Sequence, residues 1–322
     1  MHSKIKRWFT TGEIEDTIVV TGAPRSGTTW LSEVVSSLPG YARYDEPLHL
    51  TAFPKTRTNG FEWRTYLDPY YDADEQAAYL LSVFSGRSGN GLRLDAATRI
   101  GRLMELVRSR RQIVKFVRAG RMLQWMACHF DLRGIHFIIR HPCAAVSSMI
   151  KHRDWSDFSE ANSIDAYLGG SLPLDLKEDI ERRLPKLPDT PAERLAFLWT
   201  LDHYIPFHHF ARHGYPWTLV PYEMLLKDGP NELKRIFAAV NAEVPDDARN
   251  HLAKASDSAS EDLQLRKSYR QLSKWKKNLD SGQIDSILKI VDAFDLDFYT
   301  EAAEPDYSRL LRFQTEDSSC VE

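Results

Sequence analysis

Short β-branched runs alternate along the chain with longer stretches in which apolar residues recur at helical spacing. Thr17–Thr21 reads Thr-Ile-Val-Val-Thr, the kind of run that becomes a buried parallel strand. It enters Gly22-Ala23-Pro24-Arg25-Ser26-Gly27-Thr28-Thr29-Trp30, after which Leu31, Val34, Val35 and Leu38 follow a helical stripe until Pro39-Gly40 stops it. Gln112–Val117, Ile135–Ile139 and Trp217–Val220 read as further strands, and a long helix is expected from about Thr190 to His213. Strands spaced by helices predict an α/β fold, a three-layer sandwich around a central, mostly parallel sheet. No repeat, low-complexity tract or composition shift marks a linker, so residues 1–322 are expected to form a single domain. Two irregular stretches, about 41–90 and 154–188, are expected to shape a substrate site. The polar run Lys254–Glu261 reads as a loop, and the tail after Glu301 as loosely packed.

Composition narrows the function classes. Of 322 residues 43% are hydrophobic and 27% charged, which suits a sizeable core and argues against wholesale disorder. The 42 Lys and Arg against 45 Asp and Glu leave a formal charge of −3, giving no global reason to expect nucleic acid or an anionic membrane as partner. Any anion site must then be local. Cys128, Cys143 and Cys320 are odd in number and lack metal-ligand spacing, so a reduced, cytoplasmic setting is expected. The start, Met1 to Thr10, develops no apolar signal core, and no run of eighteen apolar residues offers a membrane span.

The glycine-bearing loop carries the chemistry. Between a strand and a helix, Gly22 and Gly27 let backbone N–H groups converge on one point, where the helix N-terminus adds partial positive charge. The spacing matches G-x-x-x-x-G-K-[ST] except that Thr28 takes the lysine position, so the side chain that reaches the outer phosphates of a nucleoside triphosphate is absent. Arg25 instead supplies a cation three positions earlier.

Pro24-Arg25-Ser26-Gly27-Thr28-Thr29-Trp30-Leu31 after a β-branched strand resembles the 5′-phosphosulfate loop of sulfotransferases that use 3′-phosphoadenosine 5′-phosphosulfate (PAPS). That resemblance implies a P-loop NTPase-like sulfotransferase fold, with Arg25, Ser26, Gly27, Thr28, Thr29 and Trp30 at the nucleotide. In the family an Arg ending a later strand and a Ser eight residues on grip the 3′-phosphate. Arg140 and Ser148 have that separation here, with Ser147 as a substitute. Leu219-Val220-Pro221-Tyr222-Glu223 resembles a strand-end segment whose tyrosine lies near adenine, which makes Tyr222 a nucleotide contact and leaves Glu223 to cap a helix. Arg266-Lys267 and Trp275-Lys276-Lys277 fall where relatives close a basic loop over the nucleotide. These features run in the family's order from Ile18 to about Phe298.

The implied reaction moves a sulfuryl group from PAPS to a hydroxyl or amine of a carbohydrate, glycolipid or small metabolite, with no metal. Arg25 would neutralise the leaving phosphate, and Lys115, at a strand end where relatives carry a basic residue, would face the transferring group. Small-molecule sulfotransferases place a histidine base two residues beyond such a lysine, but Val117 stands there. Tyr44-Asp45-Glu46-Pro47-Leu48-His49 resembles the Glu-Pro-Leu segment of carbohydrate-type sulfotransferases, where the glutamate is the base, and Arg25 agrees with that branch. Glu46 is the expected base, His49 the second candidate and Asp45 the third.

Other readings compete with this one. A nucleotide kinase or NTPase with a degenerate Walker A loop would want lysine at position 28 and an acidic strand end for Mg²⁺, where Ile139 is followed by Arg140. A non-catalytic nucleotide-binding protein would keep the fold without turnover. His209 and His213 are four apart, with His203 and His208 nearby, but lack a recognisable third zinc ligand. Phe61, Trp63, Tyr66, Tyr70, Tyr71, Tyr79 and Phe84 could stack on an acceptor or form a small core of their own. Neither the acceptor nor the oligomeric state is legible.

Overall fold

The computed structural model describes residues 14–88, 90–91, 111–152, 168, 172–211, 214–255 and 270–314. Five strands form one sheet: β1 Ile18–Gly22, β2 Tyr41–Asp45, β3 Arg111–Lys115, β4 Gly134–Ile139 and β5 Thr218–Pro221. Their order is β2-β3-β1-β4-β5 and every pairing is parallel, with Val20 opposite both Lys115 and His136. The central strands β1 and β4 are buried on both faces because helices cover both. Ile18, Val20, Ile113, Ile138 and Val220 face a cluster with helix α1 (Thr28–Val35) and the helix Gly229–Ala238. Val19, Val114, Phe137, Ile139 and Leu219 face the larger cluster, built with the helices Pro142–His152, Pro191–Tyr204 and Ser281–Asp292. This is a three-layer α/β architecture with a parallel central sheet.

Chain order fixes where a ligand site can open. The connection leaving β1 runs to the β2 side of the sheet and the one leaving β4 runs to the β5 side. A crevice therefore forms beyond the carboxyl ends of β1 and β4, where open α/β sheets bind ligands.

Four strands lie where the hydrophobic pattern puts them. The fifth, β2, falls inside the stretch 41–90 that reads as irregular, and the same stretch holds a helix at Asp74–Phe84. Tyr-Ala-Arg-Tyr-Asp has no apolar run, because β2 is an edge strand whose half-buried positions carry polar residues. The stretch 154–188 likewise contains a helix, Leu174–Arg183, while most of 154–171 lies outside the described residues.

The long helix is shorter than expected. Pro191–Tyr204 starts with a capping box between Thr190 and Glu193, worth about 1 kcal/mol. It turns into a π-helical segment at Ile205–His209, because Pro206 has no N–H to continue the ladder. His213 lies outside the described residues, as do most of the run 254–261 and residues 315–322. The tail between Glu301 and Gln314 is not loose: Leu310 and Phe313 are buried, and Phe313 stacks on Phe207 with ring centroids 4.5 Å apart. No described helix is long and apolar enough to cross a membrane.

Candidate active site

The loop after β1 is held open by two glycines. A Cβ on Gly22 would sit 2.4 Å from the Ile138 carbonyl oxygen, so only glycine lets β1 and β4 approach this closely. Gly27 has φ +102° and caps α1, and a side chain there would press on the Tyr222 ring at 2.8 Å. No side chain caps α1 and its first turn carries no acidic residue, so its leading N–H groups remain available to an anion.

Three other sequence candidates converge on this loop. Arg140, at the end of β4, donates from Nη1 to the Arg25 carbonyl at 3.1 Å and lays its guanidinium 4.4 Å above the Tyr222 ring. Arg25 donates from Nε to Ser148 Oγ at 3.0 Å. Tyr222 meets Trp30 edge to face with centroids 5.6 Å apart. The Arg140 Nε, Trp30 Nε1 and Ser26 Oγ are buried without a hydrogen-bond partner among the described residues, which suits groups arranged for a polar ligand. Gly27 and Arg140 line one cavity of about 690 Å³, a size suited to a nucleotide. Ser147 accepts from Asn278 Nδ2 at 3.1 Å, and Ser148 is the serine that reaches Arg25.

Glu46 and His49 line the same cavity. The Glu46 N–H donates to the Lys115 carbonyl at 2.8 Å, and the Tyr79 hydroxyl donates to the Pro47 carbonyl at 2.7 Å. The Asp45-Glu46-Pro47 turn is therefore anchored to β3 and to the helix Asp74–Phe84. Lys115 is buried, and its Nζ lies 3.2 Å from Thr29 Oγ1, 3.4 Å from Glu46 Oε1 and 4.0 Å from Asp45 Oδ1. One ammonium thus spans the start of α1 and the carboxylate of the adjoining turn. Asp45 is buried and also pairs with Arg43, so it is held as a strut of β2 and β3 rather than presented to the cavity.

His49 accepts a hydrogen bond at Nδ1 from the Ala52 N–H at 3.2 Å. That assigns its proton to Nε2, so the ring offers a donor to the cavity rather than a free base.

Backbone strain gathers here. Arg25, Glu46 and Arg118 have φ of +63°, +50° and +72°, left-handed values that cost about 1–3 kcal/mol each for non-glycine residues. All three line the cavity. Arg118 follows Lys115 by three positions, and sequence reading passes over it because nothing in its type or spacing distinguishes it from a strand-end surface charge. Gln271, which donates to the Tyr222 hydroxyl at 3.1 Å, and Glu33 also line the cavity without a motif to announce them.

Other candidates sit elsewhere. Arg266 and Lys267 lie outside the described residues. Trp275 is no part of a closing basic loop: it is buried and stacks on His141 at 4.6 Å, while Lys276 and Lys277 are exposed. His203 is fully buried with Nδ1 on the Trp199 carbonyl, and His209 Nε2 bonds the Tyr66 hydroxyl. Phe61, Tyr66 and Phe84 join the main core instead of forming a separate one, and Tyr70 and Tyr71 are exposed.

Glu223 stands in the first turn of the helix Tyr222–Lys227, where a carboxylate is favoured, and also reaches beyond it. It is buried, accepts from the His141 N–H at 2.8 Å and from the Tyr299 hydroxyl at 3.2 Å, and so fixes the turn that follows Arg140. Burial pushes its carboxyl up from 4.5 to about 7, against the pull of those hydrogen bonds and of Arg140. A raised acid stabilises the fold below its unfolded value and loses that contribution as pH rises through the folded one. Glu223→Gln should therefore match the parent near pH 4.5 and exceed it in stability by about 3 kcal/mol above pH 7. Denaturant unfolding at pH 4.5, 6 and 8 measures this, and parallel curves for the two proteins would refute it.

Comparison with known proteins adds little by sequence. No family model matches the chain, and no curated protein matches it. Among solved structures, mouse sulfotransferase SULT7A1 complexed with PAP is 16% identical, with 89% of this chain and 88% of that chain covered at a TM-score of 0.38. The sulfotransferase domain of the Synechococcus PCC 7002 olefin synthase is 16% identical, with coverage of 88% and 94% and a TM-score of 0.42. Sulfotransferase STF9 from Mycobacterium avium is 12% identical, with coverage of 83% and 77% and a TM-score of 0.39. At such low identity and TM-score, the side chains of this protein have to carry any functional assignment.

Proposed function

We propose that this chain is a sulfotransferase that moves a sulfuryl group from PAPS to an acceptor hydroxyl or amine. The observation that carries the reading is one cavity lined by the loop after β1, Arg140 and Glu46, with Lys115 bridging Thr29 and Glu46. PAPS supplies the activated sulfuryl group as a mixed anhydride of sulfate and the 5′-phosphate. The α1 N-terminus, Ser26 to Thr29 and the Arg25 guanidinium hold that phosphate, and Arg140 with Ser148 takes the 3′-phosphate through charge-assisted and neutral hydrogen bonds. Trp30 and Tyr222 offer ring surface to the base.

In the reaction the acceptor oxygen or nitrogen forms a bond to sulfur while the bond from sulfur to the 5′-phosphate oxygen breaks. The acceptor proton passes to Glu46, and the electron pair of the broken bond stays on the phosphate, whose growing charge Arg25, Lys115 and the α1 N–H groups offset. Lys115 Nζ pairs with Glu46 Oε1, leaving Oε2 for the proton. His49 supports the cavity as an Nε2 donor. A carbohydrate, a glycolipid and a small metabolite all remain within this reading as acceptors, and the Glu-Pro-Leu segment favours the first.

Calorimetry with 3′-phosphoadenosine 5′-phosphate beside ATP and Mg²⁺ tests the donor. The bisphosphate is expected to bind more tightly, because Thr28 replaces the lysine that grips outer phosphates and Arg140 stands where a magnesium-binding carboxylate would be needed. Preference for ATP overturns the reading. Arg140→Ala should weaken the bisphosphate by roughly 10- to 100-fold and erase its advantage over adenosine 5′-phosphate. An unchanged advantage would remove Arg140 from the 3′-phosphate.

A further inference from the structure

A guanidinium that is to take one phosphate of a nucleotide needs a fixed direction as well as a charge. The Arg140 fork is held by neutral groups, the Arg25 carbonyl at 3.1 Å and the Tyr222 ring at 4.4 Å, and its Nε is buried without a partner among the described residues. How far the fork reaches then depends on the backbone at residues 140 and 141.

Glu223 holds that backbone. It follows Tyr222 in the helix Tyr222–Lys227, and its buried carboxylate accepts at Oε1 from the His141 N–H at 2.8 Å and at Oε2 from the Tyr299 hydroxyl at 3.2 Å. Tyr222 and Glu223, neighbours in the chain, therefore grip Arg140 twice, under the face of its guanidinium and through the amide of the next residue. The His141 side chain closes the turn from the other side. Its Nε2 donates to the Thr300 carbonyl at 2.9 Å, its Nδ1 accepts from the Cys143 N–H at 3.2 Å, and its ring stacks on Trp275. Pro142 then opens the helix Pro142–His152, on which Ser148 meets Arg25. One turn thus sets the direction of Arg140 and of the helix that bears Ser148.

The carboxylate takes hold of an amide and a hydroxyl and not of the guanidinium, so it orients the charge without consuming its donors. Burial also raises the Glu223 carboxyl to about 7, which weakens its opposition to a bound phosphate at neutral pH.

Resting on the PAPS reading of the cavity, we propose that Glu223 is a positioning residue for the 3′-phosphate: by holding the His141 amide it aims Arg140, and so sets the preference for a 3′,5′-bisphosphate over a 5′-monophosphate. What acts is the reach of its oxygen to that amide rather than its charge.

Calorimetric titration with 3′-phosphoadenosine 5′-phosphate and with adenosine 5′-phosphate gives the ratio of the two affinities. Glu223→Gln keeps an oxygen at full side-chain length and should leave the ratio within about 3-fold of the parent. Glu223→Asp keeps the charge but draws the carboxylate back by one methylene. It should cut the ratio roughly 10-fold while affinity for adenosine 5′-phosphate stays close to the parent value. In an Arg140→Ala background the same aspartate should change the ratio no further, because no guanidinium remains to be aimed. Tyr299→Phe keeps the ring contacts with His141 and Trp199 and removes only the donor to Oε2. It should lower the ratio by about 3-fold, and it keeps the test decisive if the aspartate variant folds poorly in a thermal melt.

The two ways of failing are distinguishable. No bisphosphate advantage in the parent protein overturns the PAPS reading and this proposal with it. Where the parent shows the advantage, four results overturn the positioning role alone. They are an unchanged ratio in Glu223→Asp, or in Tyr299→Phe where the aspartate variant does not fold; equal weakening of both nucleotides; a loss in Glu223→Gln as large as in Glu223→Asp; and a further loss from the aspartate when Arg140 is already alanine.

Discussion

Glu46→Gln lowers turnover by roughly 10²- to 10⁴-fold, the span that removal of a positioned general base produces, and leaves affinity for 3′-phosphoadenosine 5′-phosphate nearly unchanged. The variant is isosteric and keeps the left-handed backbone of position 46, and its amide oxygen still accepts from Lys115, so the turn anchored by Tyr79 should persist. What it loses is the capacity to take a proton. Single-turnover sulfuryl transfer and calorimetry separate the two effects. Comparable losses in turnover and in nucleotide affinity would make Glu46 a structural residue. His49→Asn is the control: with Nδ1 occupied by the Ala52 N–H, His49 is a donor, and its loss should cost much less than that of Glu46.

Lys115→Met should lower turnover by roughly 10²- to 10³-fold, the usual consequence of deleting one preorganised electrostatic contact to a group that gains charge in the transition state. Methionine fills much of the same volume, so the core around β3 survives. The missing ammonium, however, leaves Thr29 at the start of α1 and the Glu46 carboxylate without their common partner. Asp45 keeps Arg43 and should hold the edge of the sheet. The ratio of rates in single-turnover assays, with an unfolding curve to show that the variant is native, measures the effect. Turnover within a few-fold of the parent would mean that Lys115 only joins β3 to its neighbours.

The loop from Gly22 to Trp30 was legible because its demands are local. A strand must stop, the chain must turn with φ beyond the reach of most side chains, and a helix must begin without an acidic first turn. The Arg140 to Ser148 spacing was legible for a similar reason, since a strand end and the helix after it fix the separation of two side chains in one chain segment. Glu46 could be picked out by its flanking Pro-Leu, but not its partner: the contact with Lys115 joins positions 69 residues apart and exists because β2 pairs with β3. Arg118 gave no signal at all. Its position on Trp63 depends on the segment around residues 61–66 being drawn onto the core by Arg64 and Asp202, which are 138 residues apart.

The α/β alternation, four of the five strands, the phosphate-sized loop and the absence of a Walker lysine can be read from the chain alone, because each is set by residues near one another in it. The edge strand β2, the Lys115 bridge between the loop and Glu46, the service of Glu223 and Trp275 to the core, and the place of Arg118 in the cavity with Glu46 all depend on the closed fold. Those outcomes follow from strand order and burial. The free energy of desolvating a charge, or of pairing a polar edge, depends on neighbours that the chain brings together only when the sheet closes.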